Sequence, residues 1–165
     1  MCYSITKEEY FNLKKNGDIM INRVYDEEKA RACDDLLTKL IQDERNYDNS
    51  IEKDFVVKDY FKNVIKNKNN ILLCFEEDNI IKGYVYIKPI NVNNRKGYLI
   101  DGLYVEKDYR NNKIATKLID EAIKIIENTD AKFIDINVLA NNEIARKLYK
   151  HLNFNEFKIS MRKEF

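Results

Sequence analysis

Three stretches of this chain carry residues whose types and spacing could do chemistry. The first, residues 105–116, joins an apolar run to a helical pattern and contains Arg110-Asn111-Asn112-Lys113-Ile114-Ala115-Thr116. Asn111 or Asn112 suits the N-cap of that helix. The first helical amides then lack partners inside the helix. With the helix dipole and the cations Arg110 and Lys113, they suit a phosphate or pyrophosphate. A plain capped helix with surface cations is the alternative. The second stretch is Leu99-Ile100-Asp101-Gly102-Leu103-Tyr104-Val105, where a glycine interrupts a strand pattern. Such a glycine marks a bulge, a close approach of backbone or ligand, or tight packing. The third runs from Asn142 to Phe154 and places Ala145 and Tyr149 four apart on one helical face. Asn142 suits its N-cap and Asn153 the left-handed residue that ends it. From spacing alone, Tyr149 reads as a core aromatic with its hydroxyl at the surface.

These stretches need elements to hold them. Residues 6–16 pattern as a short helix from Thr6 to the stop at Gly17, and Ile19, Ile21 and Val24 as a first strand. Cys33, Leu36, Leu37, Leu40 and Ile41 recur at helical spacing, predicting a helix over 27–44. Val57, Tyr60, Phe61, Val64 and Ile65 predict a second. Strands follow at 71–75, 81–87 and 98–105, joined by turns at 76–79 and Asn93-Asn94, which reads as an antiparallel meander. Ile114, Leu118, Ile119, Ala122, Ile123 and Ile126 mark the strongest helix. A strand at 133–139, the helix of the third stretch and a final strand at 154–161 complete the order. The unit 98–139 makes a right-handed crossover between parallel neighbours. The expected fold is therefore α/β in the mixed α+β sense, with a central, mostly antiparallel sheet flanked by helices on both faces.

Composition narrows the function. The 165 residues suit one domain, read as an extension over 1–17 and a domain over 18–165. At 44% apolar with one proline and four glycines, the chain is neither disordered nor a low-complexity repeat. A net charge of +1 argues against a nucleic-acid or membrane footprint. Three scattered cysteines without CxxC spacing and a single histidine, His151, argue against a metal site. Cys33 and Cys74 read as small hydrophobes. With no apolar leader at residues 1–16 and no run of about 20 apolar residues, a cytoplasmic location is expected.

Taken as an ordered set, the three stretches resemble the GNAT superfamily of coenzyme A-dependent N-acetyltransferases. Leu103-Tyr104-Val105 resembles that family's Leu-x-Val strand, and Arg110 to Ala115 its Arg/Gln-x-x-Gly-x-Gly/Ala loop. Asn142, Ala145, Tyr149, Asn153 and Phe154 resemble its Asn-x-x-Ala-x-x-x-Tyr-x-x-x-Gly-Phe segment. Lys113 and Asn153 stand where the family has glycine. The resemblance implies acetyl-coenzyme A, and no metal, between the strands at 99–105 and 133–139. Leu103, Tyr104 and Val105 would border its pantetheine arm, residues 110–116 would hold the pyrophosphate, and Asn142 would contact the pantetheine. Tyr149 would protonate the departing thiolate and Asp101 would take the amine's proton. A carboxylate that merely orients a turn is the alternative for Asp101. The acceptor region would be the 27–65 helices with Tyr84 and Tyr86. Asp43, Glu44 and Tyr47, beside Asp48, would favour a cationic amine of a small molecule or peptide, such as a polyamine or an aminoglycoside. A homodimer fits this reading. A coenzyme A-binding regulatory module without catalysis is the competing class.

Overall fold

The computed structural model describes residues 20–163 and 165, so the expected helix at 6–16 and residue Ile19 lie outside it. The elements are β1 (Ile21–Arg23), α1 (Glu27–Glu44), α2 (Tyr60–Val64), β2 (Ile71–Glu77), β3 (Ile80–Val92) and β4 (Arg95–Val105), then a 3₁₀ turn (Lys107–Tyr109), α3 (Ile114–Glu127), β5 (Ile134–Ile136) and α4 (Glu143–His151). Five strands form one sheet in sequence order. The first four are antiparallel, and β5 joins β4 in parallel after the α3 crossover. Two-residue loops, Asp78-Asn79 and Asn93-Asn94, close the hairpins with φ between 50° and 61°. Asn and Asp tolerate that left-handed geometry, which matches the twist of the flanking strands.

Both sheet faces are covered, so β2 reads as an unbroken apolar run rather than an alternation. Ile71, Leu73, Phe75, Val85 and Ile87 meet Leu118, Ile119 and Ala122 of α3. On the other face Leu72, Cys74, Tyr84 and Tyr86 meet Cys33, Leu36 and Phe61 of α1 and α2. α1 opens on Asp26, whose side chain accepts from the Lys29 amide. Asp34, buried on α1, accepts from the Phe61 amide at 2.9 Å and so pins α2 to α1.

Three expected elements change. The helix over 57–65 contracts to Tyr60–Val64, because Asp59 adopts φ 55° and the Val57 amide donates to Thr38 Oγ1 instead of entering a helix. The strand over 133–139 shortens to Ile134–Ile136, since its pairing with β4 ends at Ile100. The expected strand at 154–161 is irregular. Phe157, Ile159 and Met161 alternate as a strand would, yet each is more than 80% exposed. Alternation makes a strand only where a neighbour can pair with it.

Candidate active site

The sheet is interrupted at the glycine singled out by sequence. Across β3 and β4, Tyr86 pairs with Gly102 but Ile87 with Ile100, leaving Asp101 as an extra residue in β4. A bulge of this kind flips side-chain parity. Ile100, Leu103 and Val105 pack on the α3 side, while Gly102 and Tyr104 meet the α1 side. Unbroken alternation along β4 would put Asp101 on one face with Leu103 and Val105. The bulge instead turns it to the α1 side, where its carboxylate accepts from Lys88 Nζ at 2.9 Å and from the Tyr60 hydroxyl at 3.5 Å. Gly102 has no room for a side chain: a Cβ would stand 2.8 Å from the Tyr84 hydroxyl oxygen.

The same interruption opens the other edge of β4. β5 pairs with β4 only from Tyr98 to Ile100, so residues 101–105 have no strand on that side. Glu106 donates to the Lys82 carbonyl, which fixes the alternation of inward and outward groups along this antiparallel pair. Tyr104 therefore bonds β3, while the backbone groups of Leu103 and Val105 face the open edge. One of them is already engaged. The Val105 carbonyl accepts from Arg110 Nε at 2.9 Å, while its N–H and the backbone groups of Leu103 have no partner among the described residues.

Beyond β4 the chain turns into α3. Neither Asn111 nor Asn112 caps the helix, as the sequence suggested. Asn112 closes the loop by donating to the carbonyls of Tyr109 and Arg110. The N-cap is Lys113 at φ 62°, with no side-chain hydrogen bond, and Asn111 sits at φ 64°. The first helical bond runs from Lys117 to Lys113, so the amides of Ile114, Ala115 and Thr116 point past the helix end. Alternating left-handed residues before an uncapped helix form a concave row of donors suited to an anion. Arg110 does not join that row. Its guanidinium reaches Asp43 at 3.1 Å and lies over the Tyr104 ring. It clamps the loop to the end of β4.

α4 supplies the third component. Asn142 Oδ1 accepts from the Ala145 amide at 3.1 Å, and Asn153 terminates the helix at φ 64°. Tyr149 packs edge-on against Phe154 within the α3-side core and is 7% exposed. Its hydroxyl bonds no described residue, yet is not among the side-chain atoms fully sealed from solvent. Burial, and then the Glu44 carboxylate, push its pKa well above the tyrosine value. The hydroxyl therefore stays protonated at neutral pH.

Glu44 belongs to a cavity of about 490 Å³ between α1, the 55–60 segment and β3. Asp101, Tyr60 and Tyr86 share that cavity, with the two tyrosine rings edge-on at 6.1 Å. Burial and nearby Asp48 raise the Glu44 pKa. The other expected acceptor residues are elsewhere. Asp43 is ion-paired with Arg110 and Lys107, and Tyr47 lines no part of the cavity. Tyr84 shares the sheet face of Tyr86 but stands two residues further along β3, where Phe61 and Gly102 bury it fully and leave its hydroxyl unpartnered. His151 is exposed at the end of α4. Cys33 and Cys74 are buried, and burial raises the Cys74 thiol to about 11, so neither is a ready nucleophile. Sequence reasoning missed Lys88, Tyr60 and the apolar lining from Leu37, Leu40, Ile41, Phe55 and Val56. The signal was an apolar stripe on α1 wider than the core requires.

Residues 34–154 match the Acetyltransferase (GNAT) family. The chain belongs to this family. Solved structures with the same fold include a protein of Bacillus halodurans (TM-score 0.77, 18% identity, 88% of this chain and 99% of that one). A ribosomal-protein-alanine N-acetyltransferase from Brucella melitensis superposes with TM-score 0.67 at 20% identity, over 88% of this chain and 98% of that one. An aminoglycoside N-acetyltransferase in complex with CoA gives TM-score 0.67 at 15% identity, over 88% and 100%. Within this GNAT chain, β5 pairs with β4 only up to Ile100, and Tyr149 belongs to the same buried cluster as Val105 of β4 and Ile114 of α3. No helix among the described residues is long and apolar enough to cross a membrane.

Proposed function

We propose that this chain transfers an acetyl group from acetyl-coenzyme A to a primary amine by direct attack in a ternary complex. The observation that carries the reading is the left-handed Lys113 before an uncapped helix, at the foot of a strand edge left open by a bulge. The fit to the co-substrate follows from those groups. The amides of Ile114, Ala115 and Thr116, with the Lys113 ammonium, hold the pyrophosphate. The backbone groups of Leu103 pair with the pantetheine amides as an added strand would, and Asn142 Nδ2 donates to the same arm. Acetyl-coenzyme A supplies an activated thioester.

The residues then manage charge. The Val105 N–H donates to the thioester carbonyl oxygen as it becomes an oxyanion. Asp101, at the bulge between the cavity and the open edge, takes one proton from the ammonium, directly or through water. The nitrogen forms its bond to the acetyl carbon, the C–S bond breaks, Tyr149 gives its proton to the departing sulfur, and the second proton shed by the nitrogen restores the Tyr149 hydroxyl. The products are an N-acetyl amine and free thiol. Saturating acetyl-coenzyme A should raise the melting temperature by several degrees, because it binds only the folded chain. Thiol release with a panel of amines should then exceed hydrolysis alone. Binding with no thiol release for any amine would favour a regulatory module, and no binding would end the acetyltransferase reading.

A further inference from the structure

The cavity that holds Glu44 and Asp101 is apolar in a way that a site for polycations would not be. Its wall on α1 is Leu37, Leu40 and Ile41, and its outer wall is Phe55, Val56 and Val57. Phe55 and Val56 remain 44% and 57% exposed, an apolar surface left uncovered at the mouth. Tyr60, Phe61 and Tyr86 stack edge-on with centroids 5.1–6.1 Å apart and present aromatic surface to the interior. Against this stand two carboxylates and one cation of the lining, Lys58. The charge of Asp101 is already matched by Lys88 at 2.9 Å. Of the two carboxylates, Glu44 is the one without an ion-pair partner among the described residues.

We propose that the acceptor is a monoamine carried on an apolar, ring-sized body, whose ammonium meets Glu44 and whose body lies against Leu40, Ile41, Phe55 and Val56. The proposal rests on the acetyltransferase reading and names its substrate class. One ammonium has one unpaired carboxylate to meet. Each further cation of a polyamine or aminoglycoside would be set against hydrocarbon without a counter-charge, which is strongly unfavourable. A volume near 490 Å³ suits a single small molecule rather than an extended chain. Apolar area discriminates modestly, about 10–200-fold for a methylene-scale difference, so a ring should count clearly.

Purified protein with acetyl-coenzyme A is assayed for thiol release with 2-phenylethylamine, butylamine, spermidine, kanamycin and a lysine peptide. The expected result is a kcat/KM for 2-phenylethylamine at least tenfold above spermidine, kanamycin and the peptide, and above butylamine. Phe55→Ser and Val56→Ser, both at exposed positions and so compatible with folding, should raise KM for 2-phenylethylamine about tenfold and leave KM for acetyl-coenzyme A unchanged. Preference for a polycation or the peptide, or an unchanged amine KM in both variants, would overturn the proposal. Binding of 2-phenylethylamine in the presence of coenzyme A, followed by NMR, reads the cavity without turnover. Binding that Phe55→Ser weakens, with no thiol release from any amine, would uphold the proposed ligand and sink the enzyme reading. Absence of binding would sink the ligand whatever the enzyme does.

Discussion

At the residue scale the decisive feature is which hydroxyls have partners. Tyr149 and Tyr84 are both buried tyrosines without a described hydrogen-bond partner, but only the Tyr84 hydroxyl is sealed. Tyr149→Phe keeps the ring against Phe154 and removes only the proton donor. Its melting temperature and acetyl-coenzyme A affinity should stay near wild type while kcat falls roughly 10²–10⁴-fold. The defect should shrink with acyl donors whose thiols are more acidic, since those leave with less protonation. Unchanged kcat with a good acceptor would remove Tyr149 from the chemistry. Tyr84→Phe makes the opposite forecast. A sealed hydroxyl without a partner is a desolvation cost, so its removal should leave stability unchanged or raise it by about 1 kcal/mol. Gly102→Ala should cost about 1–3 kcal/mol, because the new Cβ meets that same hydroxyl. The two sites are in contact, so a double-mutant cycle by urea unfolding should show that Tyr84→Phe recovers part of the Gly102→Ala loss.

At the scale of elements, the loop before α3 shows what spacing can and cannot reveal. The sequence located the loop, the helix and the glycine-replacing Lys113, but it favoured Asn111 or Asn112 as the cap. Cap choice depends on φ, and Asn111 spends its tolerance of positive φ two residues earlier. Left-handed backbone costs a side chain with Cβ about 1–2 kcal/mol. Lys113→Gly should therefore gain about 1 kcal/mol in urea unfolding, whereas Lys113→Ala keeps the strain and gains nothing. If the ammonium also meets the pyrophosphate, both variants should lose acetyl-coenzyme A affinity by several-fold in calorimetry. Unchanged affinity in both would show that only the backbone acts there. The bulge was legible from Gly102 because a glycine inside a strand has few other uses. The consequence for Asp101 was not, because counting by twos along a strand fails at the very residue that adds one. Similarly, the apolar positions 133–139 and 154–161 alternate correctly, yet pairing ends where β4 bends away. Strand formation is a property of two segments, and only one is visible in any stretch of sequence.

At the scale of the whole molecule, the sheet separates a closed core on the α3 side from a core on the α1 side that is incomplete at the cavity. The α1 side also holds the carboxylates that burial has most disturbed. Asp34 is 3% exposed, accepts from the Phe61 amide through one oxygen, and leaves Oδ2 with no partner. Desolvation raises its pKa, against the lowering effect of the Phe61 and Tyr60 amides, and burial likewise raises Glu44. The lowered carboxylates are the half-buried Asp48 and the exposed Asp59, Asp130 and Glu156, which act through surface hydrogen bonds and ion pairs that solvent and salt screen. The two groups pull stability in opposite directions. A lowered pKa contributes stability that is present at neutral pH and lost as pH falls through the folded value. A raised pKa means the folded state favours the proton, so stability declines as pH climbs from the unfolded value through the raised one. Because the raised pair is buried, its effect should dominate, and stability should be higher near pH 5 than near pH 8. Asp34→Asn keeps an oxygen for the Phe61 amide and removes the buried charge. It should raise unfolding free energy at pH 8 by about 1 kcal/mol and change it little near pH 4, flattening the alkaline side of the profile. Urea unfolding at pH 4, 5 and 8 checks both statements. A wild-type profile that climbs toward pH 8, or an Asp34→Asn curve parallel to wild type at every pH, would show that the Asp34 carboxylate finds in solution the partner it lacks here.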